Sequence, residues 1–216
     1  MISLSSVDWF KDVYVKIYSI LALDNRLPPP DNIYLLNDKE AFEMFNIADT
    51  VQGFAVTIDG KKCVWFRHVP PDLIIFAHEL IHLCDKCSND VHEEVYGYNL
   101  ASLIVMLARE NIVPERNPLM LFEAITLDDL LRALRDVYRY PFKDICQYFV
   151  FIGSIPQFID LDLDLEVGEL VGKINPSYDQ KAITVLAITD IIAGAQYDPH
   201  MFNVILKLLG VRHDNL

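Results

Sequence analysis

Pro71-Asp72-Leu73-Ile74-Ile75-Phe76-Ala77-His78-Glu79-Leu80-Ile81-His82-Leu83-Cys84 is the stretch from which the rest of the chain can be read. Pro71 closes an extended segment. Asp72 places negative charge where the first turn of a helix leaves backbone N–H groups without partners, so the pattern predicts a helix to about Cys84. Histidines four apart on a helix lie on one face, about a turn apart, so His78 and His82 can offer two imidazole nitrogens to one metal ion. Glu79 lies about 100° round the helix from His78, near enough to reach a water on that ion without being a ligand. Together these residues point to hydrolysis: zinc lowers the pKa of a water toward about 7, and the Glu79 carboxylate takes its proton as general base.

Upstream, Gly53–Ile58 and Lys62–Phe66 flank the compact turn Asp59-Gly60-Lys61 and predict a β-hairpin that Pro70-Pro71 ends. Before it, Ile33–Leu36 is a short strand candidate, and Asp38 is expected to cap a short helix to about Phe45. Apolar residues at three- and four-residue spacings between Val7 and Leu21 predict an amphipathic helix over 7–22, stopped by Pro28-Pro29-Pro30. Downstream, a short polar loop, 85–90, leads to a second helix over about 91–108.

A catalytic zinc takes three protein ligands and keeps a position for water, so a third ligand is needed beyond the two histidines. Asp85, Asp90, His92, Glu93 and Glu94 stand close downstream. On a helix Glu94, Gly97 and Ala101 share a face, and Gly97 leaves room for close approach, which favours Glu94, with Glu93 and then His92 as alternatives. A different reading is a structural site. Cys84-Asp85-Lys86-Cys87 follows at once and CxxC is a common zinc chelate, but Cys84 and Cys87 join His78 and His82 only if the helix ends by Leu83. The protein would then be a non-catalytic binding or regulatory protein.

Ala77-His78-Glu79-Leu80-Ile81-His82-Leu83 followed by Glu94-Val95-Tyr96-Gly97 resembles the zincin metallopeptidases, and among them the gluzincins and the ImmA/IrrE-like regulatory proteases. The resemblance covers roughly residues 33–108. It implies Zn2+ as cofactor, with His78, His82 and Glu94 as ligands and Glu79 as base. It also implies a protein or peptide substrate, laid as an extra strand on the edge of the hairpin before the metal helix. The interval from His82 to Glu94 is shorter than is common in gluzincins.

The expected fold class is α+β. A zincin-like catalytic region over 1–112, with helices on a small sheet, precedes a mainly helical region over 113–216, the two set apart by Pro114 and Pro118. In the second region Leu127 to Val137, Ile183 to Ala193 and Met201 to Leu209 read as helices, and the alternation Ile159 to Val167 as an edge strand or a loop. A formal net charge of −13 over 216 residues argues against nucleic acid and anionic membranes as partners, since both call for clustered Lys and Arg. Asp8, Lys11, Asp12 and Lys16 interrupt the N-terminal apolar stretch, unlike a signal peptide, and four cysteines are too few for a disulfide scaffold. Cytoplasmic residence is the expectation. Tyr96, Tyr98, Tyr138 and Tyr140 are candidates for a donor to a tetrahedral oxyanion, with core packing the commoner role.

Overall fold

The computed structural model describes residues 1–84, 91–143, 147–148 and 180–211, with the side chains of 91–96, 180 and 182 excepted. It is an α+β protein that divides into two compact units, Met1–Pro118 and Leu119–Leu216.

The first unit is built on a mixed sheet of four strands, β1 (Ile2–Ser3), β2 (Ile33–Leu35), β3 (Gly53–Ile58) and β4 (Lys61–Phe66), in the order β1-β2-β4-β3. β2 runs parallel to β4, with Tyr34 opposite Cys63, and β3 and β4 form the expected hairpin from Gly53 opposite Phe66 to Ile58 opposite Lys61. The turn is two residues long. Asp59 and Gly60 both take positive φ, 49° and 76°, the left-handed pair whose twist matches that of the strands it joins. β4 starts at Lys61, one residue before the expected start.

Side chains alternate across a strand, and the two faces of the hairpin are unlike. One carries Phe54, Val56 and Ile58 with Cys63 and Trp65, packed with Leu36 and Ala41 into an apolar cluster under α2 (Asp38–Met44). The cap of α2 is Asn37, not Asp38. The Asn37 side chain accepts from the Glu40 N–H at 2.9 Å and the Glu40 carboxylate accepts from the Asn37 N–H at 3.0 Å, a reciprocal capping box. Asp38 instead accepts the Trp65 indole N–H at 3.0 Å.

The other face meets α3 (Leu73–Leu83), which also packs against α1 (Val13–Leu21) and α4 (Val91–Arg109). Here the indole of Trp9 stands edge-on to Tyr14, Phe66 and Phe76, with ring centroids 5.0, 6.3 and 5.8 Å away. This explains why α1 begins at Val13 rather than Val7. Residues 7–12 turn so that Trp9 enters the cluster, Asp12 adopts a positive φ of 52°, and the helix starts only after it. The Tyr14 hydroxyl then donates to the Pro71 carbonyl at 2.6 Å, tying α1 to the segment that enters α3.

The second unit is helical where described: α5 (Met120–Glu123), α6 (Leu127–Tyr138), α7 (Gln180–Ala195) and α8 (Pro199–Leu208). Thr126 caps α6 in a box with Asp129, and Asp198 caps α8 by accepting the His200 N–H at 2.8 Å. Leu130 and Leu134 of α6, Ile188 and Ile191 of α7, and Val204 and Ile205 of α8 are buried. The alternation from Ile159 to Val167 lies outside the described residues. No helix among the described residues is long and apolar enough to cross a membrane.

Candidate metal centre

α3 is set by its ends. Asp72 accepts the Ile74 N–H at 2.8 Å and the Ile75 N–H at 3.4 Å, which satisfies two of the donors a helix start leaves open. At the far end the Lys62 ammonium of β4 donates to the Leu83 carbonyl, so a cation from the sheet meets the negative end of the helix dipole. His78 and His82 occupy the last two turns, where that dipole also favours a bound cation.

The two imidazoles converge. Their Nε2 atoms lie 3.0 Å apart, with the ring planes nearly perpendicular at 88°. Two nitrogens held at about 2.0–2.1 Å from one tetrahedral zinc stand about 3.3 Å apart, so these rings are within a few tenths of an ångström of the separation that zinc requires. The two imidazoles are compatible with the ion on that observation, and the same 3.0 Å is also a hydrogen-bond distance between them. His78 is 2 % exposed and Glu79 5 %, so both are presented by a packed helix.

Neighbouring elements fix the two buried side chains. The Tyr98 ring of α4 lies flat on His78, centroids 3.9 Å apart and planes 12° apart. Gly97 backs the same imidazole: a Cβ there would come within 3.0 Å of His78 Nδ1 and 3.1 Å of Cε1. Gly53 of β3 backs Glu79 in the same way, its would-be Cβ 3.0 Å from both Cγ and Oε1.

His78, Glu79 and His82 all line one cavity of about 390 Å³, within the range of ligand sites. Its other wall is the segment from Thr50 to Ala55 together with Tyr98. β3 stands at the edge of the sheet, so among the described residues the wall of the cavity is also a strand whose outer side pairs with no other strand. Arg67 holds the approach to that strand, donating from Nε to the Val51 carbonyl at 2.7 Å and from Nη2 to the Ala48 carbonyl at 2.9 Å.

The third ligand expected from the sequence falls where less is described. Glu94, Glu93 and His92 belong to the first turns of α4, but their side chains, like all of Asp85, Cys87 and Asp90, lie outside the described residues. Among the described residues no group of three His, Cys, Asp or Glu side chains surrounds a metal position. Cys84 is described: α3 ends at Leu83, and the Cys84 thiol, 4 % exposed, turns back to the Leu80 carbonyl at 3.4 Å. Of the four tyrosines, Tyr98 reaches the cavity, Tyr138 donates to Asp198 at 3.1 Å in the second unit, Tyr140 is exposed, and the Tyr96 side chain is not described.

Gly53 is a residue of the site that spacing within one helix does not find. A glycine inside a strand pattern often marks a place where another group approaches the backbone, and that signal was present. A scan against protein-family models returned no match, and searches of curated proteins and of solved structures returned none either.

Proposed function

We propose that this chain is a zinc-dependent metallopeptidase with a zincin-like, gluzincin-type core, in which His78, His82 and Glu94 hold the ion and Glu79 is the general base. The observation that carries the reading is the pair of Nε2 atoms 3.0 Å apart, with the Glu79 carboxyl lining the same cavity. Glu94 is assigned from its place on α4 one turn before Gly97, the residue that backs His78. When bound, zinc supplies a Lewis acid that makes water nucleophilic near neutral pH and polarises a carbonyl.

The chain's own residues supply the rest. Glu79 accepts a proton from the attacking water and returns it to the departing amine, work worth roughly 10²–10⁴ in rate for a positioned acid–base group. β3 aligns an extended peptide by main-chain pairing along its open edge, which brings a peptide bond past the cavity. The preferred substrate is therefore protein or peptide, and the proposed setting is the cytoplasm.

The test is hydrolysis of a peptide library by the zinc-loaded protein. Glu79→Gln is expected to keep its zinc and lose hydrolysis. A zinc-loaded parent that cuts no peptide, or a Glu79→Gln protein that still does, would refute the proposal.

A second reading, a binding or regulatory protein with purely structural zinc, has one observation in its favour: α3 ends at Leu83, as a His78/His82/Cys84/Cys87 cluster requires. Against it, the Cys84 thiol is engaged with Leu80 on the helix's own backbone. X-ray absorption separates the two, since sulfur ligands near 2.3 Å mark the structural site and nitrogen and oxygen near 2.0–2.2 Å the catalytic one.

A further inference from the structure

Glycine in a strand costs stability unless something demands it, through its extra freedom in the unfolded chain and its lack of a packing side chain. Two demands are common: a left-handed backbone, or the close approach of another group. The backbone makes no such demand at Gly53, because among the described glycines the left-handed φ values belong to Gly60 and Gly210. Close approach does. A Cβ at Gly53 would be caught between two residues one turn apart on α3, 3.0 Å from Glu79 Cγ and Oε1 and 3.1 Å from Ile75 Cγ2.

The contrast along the strand sharpens this. Phe54, Val56 and Ile58 fill the face under α2, whereas the alternate positions are Gly53, Ala55 and Thr57, all small. Gly53 and Ala55 line the cavity with Glu79. We propose that Gly53 is a positioning residue for the proposed general base: its bare Cα lets the Glu79 carboxyl lie against the start of β3, and the strand backbone there limits how far the carboxyl can move toward the sheet. The inference rests on the peptidase reading for its catalytic meaning, and on the packing alone for the contact.

An added methyl at Gly53 is expected to displace the Glu79 side chain by a few tenths of an ångström. A shift of about 1 Å in a reacting group costs about 10²-fold in rate, so about tenfold is expected here. Zinc binding is spared, because Glu79 is not among the proposed ligands.

The test has two parts. In the metal-free protein, melting temperatures are compared for the parent, Gly53→Ala, Glu79→Ala and the double variant. The expected result is that Gly53→Ala lowers Tm in the parent background and lowers it less once Glu79 is truncated, the remaining loss being the contact with Ile75. Equal losses in both backgrounds overturn the contact and leave the peptidase reading standing.

In the zinc-loaded protein Gly53→Ala is expected to lower kcat about tenfold, a larger change than in KM, with zinc content unchanged. An unchanged kcat, or a loss traced to lost zinc, overturns the positioning role. A parent without peptidase activity removes that role too, but through failure of the peptidase reading, which the melting comparison does not depend on.

Discussion

His78 is held from two sides by one helix, its ring face by Tyr98 and its Nδ1 edge by Gly97. Gly97→Ala pushes on the ring itself and is expected to weaken zinc binding by about 10–100-fold, the range seen when groups supporting a ligand are disturbed. Competition with a zinc chelator measures this; an affinity equal to the parent's would show that α4 yields without moving the imidazole. At this scale the sequence was legible where chemistry follows from spacing within one helix. His78, Glu79 and His82 needed only the 3.6-residue period to be placed together. At Gly53 only half was legible: a glycine in a strand marks a close approach, but the group that approaches is a carboxyl 26 positions away on another element.

α3 keeps its register through Asp72, whose two accepted N–H bonds Ala cannot replace. Asp72→Ala is expected to cost about 1 kcal/mol by denaturant unfolding, and no change in midpoint would mean that water caps the helix as well as the carboxylate does. Arg67 does the corresponding work for the strand, clamping the Ala48 and Val51 carbonyls just before the cavity wall. Lysine has one ammonium where arginine has a planar fork, so Arg67→Lys is expected to raise KM severalfold while zinc content stays the same. An unmoved KM would separate this segment from substrate binding. Element types were well foreshadowed by periodicity, and the hairpin by Asp59-Gly60. The errors fall where tertiary packing overrides local pattern: Trp9 enters an aromatic cluster and delays α1, and Trp65 recruits Asp38 and leaves the cap to Asn37.

The molecule as a whole should respond to alkali through its second unit. Tyr148 is fully buried, and burial, followed by the negative charge of Asp190, pushes its phenol well above the ordinary value of 10.0; burial and Asp198 do the same to Tyr138. Above pH 10 the unfolded chain releases these protons and the folded chain keeps them, so the unfolded state binds fewer protons and stability falls as pH rises. Below pH 10 the contribution is fully present. Tyr148→Phe is expected to flatten the loss of stability above pH 10 in urea unfolding, and an identical pH profile would exclude Tyr148 as its source.

The placement of the indoles has a further consequence. The chain has two tryptophans, and Trp9 and Trp65 both belong to the first unit. Emission excited beyond the tyrosine band is therefore a private signal of that unit, and the Trp9 part of it arises against Phe76, two residues before His78 on the same helix. Circular dichroism, by contrast, sums the helices of both units. Divergence between the two signals during denaturation would time the loss of the sheet and α3 separately from that of the C-terminal helices, with no label added.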